Sequence, residues 1–257
     1  MEVITSLLFL LLGVFTGILA GFFGIGGGMV IVPTMLFLGH SYASAVGISI
    51  LQMALSSVVG SVANFKKGLL NMSVGLYAGF GGLIGAGFSG LILKYIPHKI
   101  LLGLFILVTL YSLLRFVLGS SQNSQEGQIR GDLTSKDKFN LLWIGAFTGI
   151  FAISLGIGGG VLMVPLLSRY LNLSPKQSVP LSLFFVVFSS ISGVISLTHQ
   201  GLLQLQNMRW GLLVGLGSVL GVMLGVRLVS LVPAIWHRGL LIFVYILSIL
   251  VSIYKWL

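Results

Sequence analysis

The sequence predicts an all-α integral membrane protein made of two homologous repeats. Three observations lead to this fold class: an apolar composition, long apolar stretches in close succession, and a glycine-rich phrase that occurs twice. Of the 257 residues, 56% are hydrophobic and only 7% are charged, whereas a soluble domain carries about 25% charged residues. So few charges cannot cover a soluble surface, and the composition therefore indicates a chain that crosses a bilayer several times.

Apolar stretches that we expect to span the bilayer follow one another almost without interruption. A helix needs about 20 residues to cross the hydrocarbon core. The first stretch does not have the form of a cleavable signal peptide, because its only flanking charge is Glu2 and its counterpart recurs in mid-chain. The expected spans are residues 3–23, 43–65, 69–93, 100–118, 139–155, 178–197, 210–232 and 240–253.

The charged residues are distributed unevenly along the chain. The net charge is +10, and no carboxylate lies in an apolar stretch, although many cation-coupled carriers keep one at mid-membrane depth. An excess of basic residues is usual in cytoplasmic loops, and an interior without fixed negative charge also suits an anionic substrate. We therefore expect a small anion and the lipid bilayer as partners. The acidic residues are Glu2, Glu126, Asp132 and Asp137.

The composition also argues against several other classes of site. The chain has no cysteine, which excludes disulfides and thiolate metal sites. No basic cluster exceeds the pair Lys66 and Lys67, so we expect no nucleic acid partner. The four histidines are scattered and no acid lies within the membrane stretches, so we expect neither an enzyme nor a metal site nor a cofactor.

Three blocks of sequence recur in the same order in the two halves. "GVFTGILAGFFGIGGGMVIVP" (13–33) matches "GAFTGIFAISLGIGGGVLMVP" (145–165). Residues 46–70 match 179–203, and residues 85–97 match 221–233. This duplication predicts a first transmembrane repeat over 1–119, a polar linker over 120–138 and a second repeat over 139–257. Repeats of this kind in transporters place the substrate near the midplane, between the halves.

The number of crossings in each half decides whether the repeats are parallel or inverted. The stretch after the first glycines, 29–38, spans only about 15 Å as a helix, at 1.5 Å per residue. It either completes one interrupted crossing, which gives parallel repeats, or returns as a hairpin before three further crossings, which gives inverted repeats. The inverted topology places eight basic residues on one side and four on the other, against seven and five for the parallel topology. The inverted topology is therefore favoured, with the linker in the cytoplasm and both termini outside.

The two glycine phrases are candidate substrate sites. Unwound backbone at membrane depth is tolerated only inside protein or beside a cavity, and a helix that restarts there offers free N–H groups to an anion. Pro33 and Pro165 follow near the first turn of each restarted helix, where proline is best tolerated. The alternative is that the glycines only let helices pack closely. The candidate residues are Gly24, Gly26, Gly27, Gly28, Gly156, Gly158, Gly159 and Gly160.

A nucleotide-binding interpretation of the glycines fails on their spacing. "GIGGGMVIVP" lacks both the G-x-G-x-x-G spacing and the G-K-[ST] ending of a phosphate-binding loop. It also follows an expected membrane span rather than a strand. The phrase therefore belongs to the membrane fold.

The paired "GIGGG…VP" elements, each followed by a serine-containing span, resemble the TauE/SafE family of sulfite and sulfonate exporters. The resemblance runs from about Gly13 to the last span. It implies an inner-membrane permease for small sulfur-containing anions such as sulfite, thiosulfate or organosulfonates, with both glycine motifs lining the pathway. Pro180 stands where Gly47 stands in the first half, so we expect an asymmetric site.

Several polar residues are further candidates for substrate binding. Matched serines in the two halves could donate to sulfonate oxygens, or could bond to neighbouring helices and to the i−4 carbonyl. Gln52 is either an oxyanion donor or a helix contact. Arg227 either snorkels to the interface or serves the pathway. His199 either lies at the interface, or carries a proton or gates the pathway. The serines are Ser49, Ser182, Ser189 and Ser190.

Three function classes follow from these observations. A secondary carrier or uniporter is favoured. An anion channel is the first alternative, and only flux kinetics separates the two. A non-catalytic membrane subunit is the other alternative, and a homodimer is one assembly open to the chain.

Overall fold

The computed structural model confirms the all-helical class. It describes residues 2–118, 133–171, 173, 175–228 and 234–257, with side chains except at 175, 176 and 234–238. This part of the chain forms eleven helices and no strand. The first half contains α1 (Glu2–Phe23), α2 (Gly28–Phe37), α3 (Tyr42–Lys66), α4 (Met72–Ala86), α5 (Ser89–Tyr95) and α6 (His98–Leu118). The second half contains α7 (Ser135–Ser154), α8 (Gly159–Leu171), α9 (Pro175–His199), α10 (Leu205–Leu228) and α11 (Ala234–Trp256).

Seven helical segments in the described part are long and apolar enough to cross a membrane. They are α1, α3, α4 with α5, α6, α9, α10 and α11. The sequence predicts an eighth span over 139–155. Helix α7 covers it but begins at Ser135, because Thr134 and Asp137 cap its first turn reciprocally, and Lys136, Asp137 and Lys138 leave a shorter apolar stretch. The rest of the predicted linker, 120–132, lies outside the described residues.

Helices α1 and α10 pack side by side and run in the same direction. Gly13 faces the backbone of Val214, and Gly17 faces Ser218. Four residues further along each helix, Gly21 faces Val222. Small residues at this spacing let two helices approach backbone to backbone. The contact between α1 and α10 is the most extensive between any two helices in the described part of the chain, and it joins the first half to the second.

Helices α4 and α7 form the corresponding pair. Gly145 faces the carbonyl of Ala78, and Gly149 faces Gly82. These two helices also run in the same direction, since both residue numbers rise together. The first helix of each half therefore packs against the other half, which is consistent with two repeats that exchange their first helices.

Helix α2 returns toward the start of α1, so the two helices form a hairpin. A Cβ on Gly27 would lie 3.0 Å from the carbonyl oxygen of Thr16. After α2, the His40 ring lies 6.3 Å from that of Phe9, near the start of α1. If α1 and α2 formed one interrupted crossing, His40 would lie far from Phe9. Because the two rings are close, the structure has the returning hairpin.

The two hairpins enter the bundle from opposite ends. Glu2 lies 3.7 Å from Arg209, and Asn207 donates to Ser44 at 2.9 Å; we call this the Glu2 end. At the opposite Lys66 end, Lys67 donates to the carbonyl of Val226 at 2.9 Å. Helix α4 begins after α3 at the Lys66 end, and α7 runs parallel to α4, so the second hairpin starts there. This arrangement is the one expected for inverted repeats.

Candidate functional site

The two glycine loops, residues 24–27 and 155–158, lie against each other inside the bundle. A Cβ on Gly26 would lie 3.3 Å from the Cα of Gly158, its counterpart in the second half. Gly28 packs against the carbonyl oxygen of Gly156, and Gly160 packs against that of Gly24. All of these glycines are buried. The fold thus brings together the two motifs that lie far apart in the sequence.

The central contact requires glycine for two reasons. Gly26 has φ of 79° and Gly158 has φ of 90°, a left-handed region in which a Cβ is strained. The space between them is also too small for side chains, because each Cβ would meet backbone atoms of the other loop. Glycine therefore provides both the turn and the close approach.

Matched serines fasten each loop to the other half. Ser49 in α3 donates to the carbonyl of Gly156 at 2.9 Å. Ser182 in α9 donates to the carbonyl of Gly24 at 3.1 Å. Both serines are 0% exposed, and each hydroxyl has a single proton to donate. In this arrangement each serine donates its proton to the protein backbone.

The prolines lie inside the short helices and not in their first turns. Pro33 is within α2 and Pro165 is within α8, so each leaves the carbonyl four residues earlier without its helical donor. Other helices supply the missing donors. Ser248 in α11 donates to the carbonyl of Met29 at 2.7 Å, and Ser112 in α6 donates to that of Val161 at 3.1 Å. The expected first-turn placement is wrong, and hydroxyls from neighbouring helices make the interior position tolerable.

Helix α2 presents an uncapped N-terminus to the buried junction. Gly27 precedes the helix in a left-handed conformation, and no side chain caps it. The carbonyl of Gly27 accepts from the amides of Val30 and Ile31. The amides of Gly28 and Met29 lie in the first turn, where a helix has no acceptor of its own. The positive end of the helix dipole therefore faces the junction.

Gln52 places a polar side chain at this N-terminus. A Cβ on Gly27 would lie 3.1 Å from both Nε2 and Oε1 of the Gln52 amide. The Nε2 group donates to the hydroxyl of Ser56 at 3.2 Å, while Oε1 is buried with no hydrogen-bond partner. Because Ser56 could instead donate, a half-turn of the amide would direct the Nε2 donor at the loop.

The corresponding position in the second half is aromatic. Phe185 lies beside Gly159, where a Cβ would come 2.6 Å from its ring. The junction therefore has a polar side at Gln52 and an apolar side at Phe185. This difference agrees with the asymmetric site expected from the sequence.

The remaining candidate residues lie apart from the junction or bond within their own helix. Ser189 donates to the carbonyl of Phe185 at 3.2 Å, and Ser190 to that of Val187 at 3.2 Å. Arg227 is exposed in the last turn of α10 at the Lys66 end. His199 is exposed at the end of α9, with Nδ1 3.4 Å from Nε2 of Gln200.

Three residues of this region were not singled out from the sequence. Ser112 and Ser248 occupy matching positions, and extending the alignment of the third repeated block would have paired them. Tyr42 donates to the carbonyl of Leu155 at 3.2 Å from the start of α3. No pattern in the sequence indicates that contact. Among the described residues, no group of three or more His, Asp or Glu could hold a metal ion.

Membrane-length helices around two buried helix breaks define a multi-pass membrane protein of the transporter class. A model of the family described as sulfite exporter TauE/SafE matches residues 9–252. The chain belongs to this family, and it is a membrane transporter.

Curated relatives carry the same general description. A probable membrane transporter protein, YdhB of Bacillus subtilis, is 26% identical, with 85% of this chain and 88% of the relative covered. A probable membrane transporter protein of Haemophilus influenzae is 28% identical, with 76% and 74% covered. One of Methanocaldococcus jannaschii is 26% identical, with 74% and 71% covered. No solved structure gives a significant match.

Proposed function

We propose that the protein is a secondary carrier or uniporter that moves a small sulfur-containing anion, such as sulfite, thiosulfate or an organosulfonate, across the inner membrane. The observation that carries this proposal is the junction itself. The uncapped N-terminus of α2 and the buried side-chain amide of Gln52, whose Oε1 has no hydrogen-bond partner, meet there. Backbone N–H groups and a helix dipole bind anions without a charged side chain.

The charge pattern supports an anion over a cation. Among the described residues, the carboxylate side chains are Glu2 and Asp137, and each lies in the first turn of its helix. Neither of these two described carboxylates therefore approaches the junction to bind a proton or a metal ion. An interior-negative potential can drive anion export, at about 2.3 kcal/mol per charge per 100 mV.

The contact between the loops favours a carrier over an open anion channel. Gly26 and Gly158 touch, and Ser49 and Ser182 hold the loops in place. Substrate can reach the backbone N–H groups only when these contacts open. Alternate opening toward the two ends is the motion that such a closed centre requires.

The test is flux into liposomes that contain the purified protein. Sulfite, thiosulfate, sulfate, taurine and isethionate are each offered under an imposed potential, with sodium and choline as cation controls. We expect saturable flux and counter-transport of at least one sulfur anion. Flux of cations alone would contradict the anion proposal, and anion flux that never saturates would favour the channel.

A matched pair of glycine substitutions tests the role of the junction. Gly27→Ala and Gly68→Ala both place a Cβ at a positive φ, of 75° and 69°, so both carry a similar backbone strain. A Cβ at Gly68 meets nothing within 4 Å, whereas one at Gly27 meets Thr16 and Gln52. We expect flux to fall at least tenfold for Gly27→Ala and less than twofold for Gly68→Ala. Equal flux in the two variants would show that the junction is not part of the transport pathway.

The orientation proposed in the membrane follows from the basic residues. The Lys66 end carries the larger number of them among the described side chains, and we assign it to the cytoplasm. The described basic residues there are Lys66, Lys67, Arg115, Lys136, Lys138, Arg169 and Arg227. Those at the Glu2 end are Lys94, Lys99, Arg209 and Lys255.

A further inference from the structure

A cavity of about 330 Å³ opens at the Glu2 end of the bundle, away from the glycine junction. It lies where α2 and α11 end and where α3 and α6 begin. Its volume falls in the range of cavities that hold small ligands, about 300–1,000 Å³. The lining residues that matter here are Tyr42, His98, Lys99, Lys255 and Trp256.

The cavity is positively charged. Lys99 and Lys255 both line it, and no Asp or Glu side chain in the described part of the chain does. The ion pair of Glu2 with Arg209 lies outside the cavity.

The ammonium groups of the two lysines lie over aromatic rings and form cation–π contacts. The ammonium of Lys99 lies 5.1 Å from the ring centroid of Trp256, and that of Lys255 lies 6.0 Å from the ring of Phe37. The Trp256 indole donates to the carbonyl of Lys99 at 3.1 Å, which ties α11 to α6. Cation–π contacts leave the ammonium protons free to donate to a ligand.

The first turn of α6 adds to the positive potential. Helix α6 has 21 residues and begins at His98, directly after Pro97. The carbonyl of Pro97 accepts from the amides of Ile100 and Leu101. The amides of His98 and Lys99 therefore lie at the positive end of the helix dipole, at the rim of the cavity.

Tyr42 connects the cavity to the second glycine loop. Its side chain lines the cavity but is only 3% exposed. Its hydroxyl donates to the carbonyl of Leu155 at 3.2 Å, one residue before Gly156. A single side chain thus separates a basic cavity from the loop at the centre of the bundle.

We infer that this cavity is a binding site for one sulfonate- or phosphate-type oxyanion, held by Lys99 and Lys255. The ligand is either a dissolved anion on its way to the junction or the head group of an anionic phospholipid. Both offer the same negatively charged oxygens to the two ammonium groups. This inference rests on the proposed function only where it places the cavity on a transport pathway; binding of the anion to the cavity does not depend on that function.

Trp256 provides a direct readout of binding. Replacing the other three tryptophans with phenylalanine leaves its fluorescence alone. The detergent-purified, delipidated protein is titrated with isethionate and, separately, with micelles containing phosphatidylglycerol or phosphatidylcholine. We expect a saturable change with isethionate or with phosphatidylglycerol, and none with phosphatidylcholine.

Two double variants with equal charge loss test whether the cavity lysines bind the oxyanion. Lys99→Gln with Lys255→Gln removes both cavity cations, and Lys94→Gln with Arg209→Gln removes two cations from the same end outside the cavity. We expect binding to weaken at least tenfold in the first and less than threefold in the second. Lys99→Arg with Lys255→Arg keeps the charge and should restore binding, which separates charge loss from misfolding.

The two sources of ligand give different results. A dissolved anion predicts a raised KM for flux in the Lys99→Gln/Lys255→Gln variant, with a maximal rate within twofold of the parent. A lipid head group predicts unchanged KM and loss of co-purified phosphatidylglycerol, measured by native mass spectrometry. Equal binding by both double variants, or no saturable signal with either probe, would overturn the inference. Because fluorescence measures binding without transport, a failure of the flux experiments alone would overturn the proposed function and leave the cavity site standing.

Discussion

Ser49, in the first half of the chain, donates a hydrogen bond to the carbonyl of Gly156 in the second half at 2.9 Å. Ser182 makes the matching bond to Gly24 at 3.1 Å. Each serine belongs to the helix that follows the hairpin of its own half, and each holds the hairpin of the other. The glycine loops are therefore held by contacts between the two halves, in addition to the left-handed glycines of the loops themselves.

We predict that Ser49→Ala and Ser182→Ala each destabilise the protein modestly. Each leaves a buried loop carbonyl without its donor, and hydrogen bonds between membrane helices contribute about 0.6 kcal/mol on average and up to about 1.7 kcal/mol. Thermal unfolding in detergent measures the effect. Ser190→Ala is the control, since that hydroxyl only bonds back within α9, and an equal loss there would contradict the fastening role.

A double-mutant cycle tests why proline is tolerated inside α2. Ser248→Ala removes the donor to the carbonyl of Met29, and we expect a loss of about 1 kcal/mol. Pro33→Ala restores a backbone N–H that can reach the same carbonyl. The effect of Ser248→Ala should therefore shrink by at least half when Pro33→Ala is present. Purely additive unfolding free energies would show that Ser248 does not compensate for the proline.

Gln52 should affect transport without supporting stability. Its Oε1 is buried without a partner, and such a group costs about 1–3 kcal/mol. We expect Gln52→Leu to unfold at the same or a higher temperature while anion flux falls at least tenfold. Phe185→Leu should give the opposite pattern, with a loss of up to about 1.5 kcal/mol and a smaller change in flux. Unchanged flux in Gln52→Leu would place the amide outside the substrate path.

The α1–α10 contact should not accept even a methyl group. A Cβ on Gly17 would lie 2.6 Å from the Cα of Ser218, so Gly17→Ala must push the two backbones apart. We expect a loss of about 1–3 kcal/mol in unfolding free energy. Gly103→Ala in α6 is the control, because its Cβ would meet only the Trp256 indole at 3.5 Å. That variant should be as stable as the parent, since alanine favours the helix over glycine.

Single cysteines test the inverted topology and its orientation. The natural chain has none, so each introduced thiol reports alone. A membrane-impermeant maleimide added to intact cells should label Lys94→Cys and Lys255→Cys. Lys66→Cys and Lys136→Cys should react only after the membrane is opened. Labelling of Lys66→Cys and Lys255→Cys from the same side would contradict the topology.

The sequence by itself determined the membrane class, the helical content and the location of both helix breaks. An apolar composition shows that the chain folds in a lipid bilayer, and repeated glycines disfavour a helix at their own position. Neither effect depends on tertiary contacts, so both can be predicted from the sequence. The sequence also predicts the prolines near a helix start, because the first turn is where an isolated helix tolerates proline. Their interior position depends on the hydroxyls of Ser112 and Ser248, which reach the freed carbonyls from other helices.

Only the tertiary structure decided what the candidate residues contact. Ser49 and Ser182 bond the opposite half, Ser189 and Ser190 bond their own helix, and nothing in their local sequence separates the two outcomes. The junction of Gly26 with Gly158 arises because each first helix packs into the other half. Long-range packing of this kind depends on the whole fold, whereas helix breaks and apolar spans depend on neighbours along the chain.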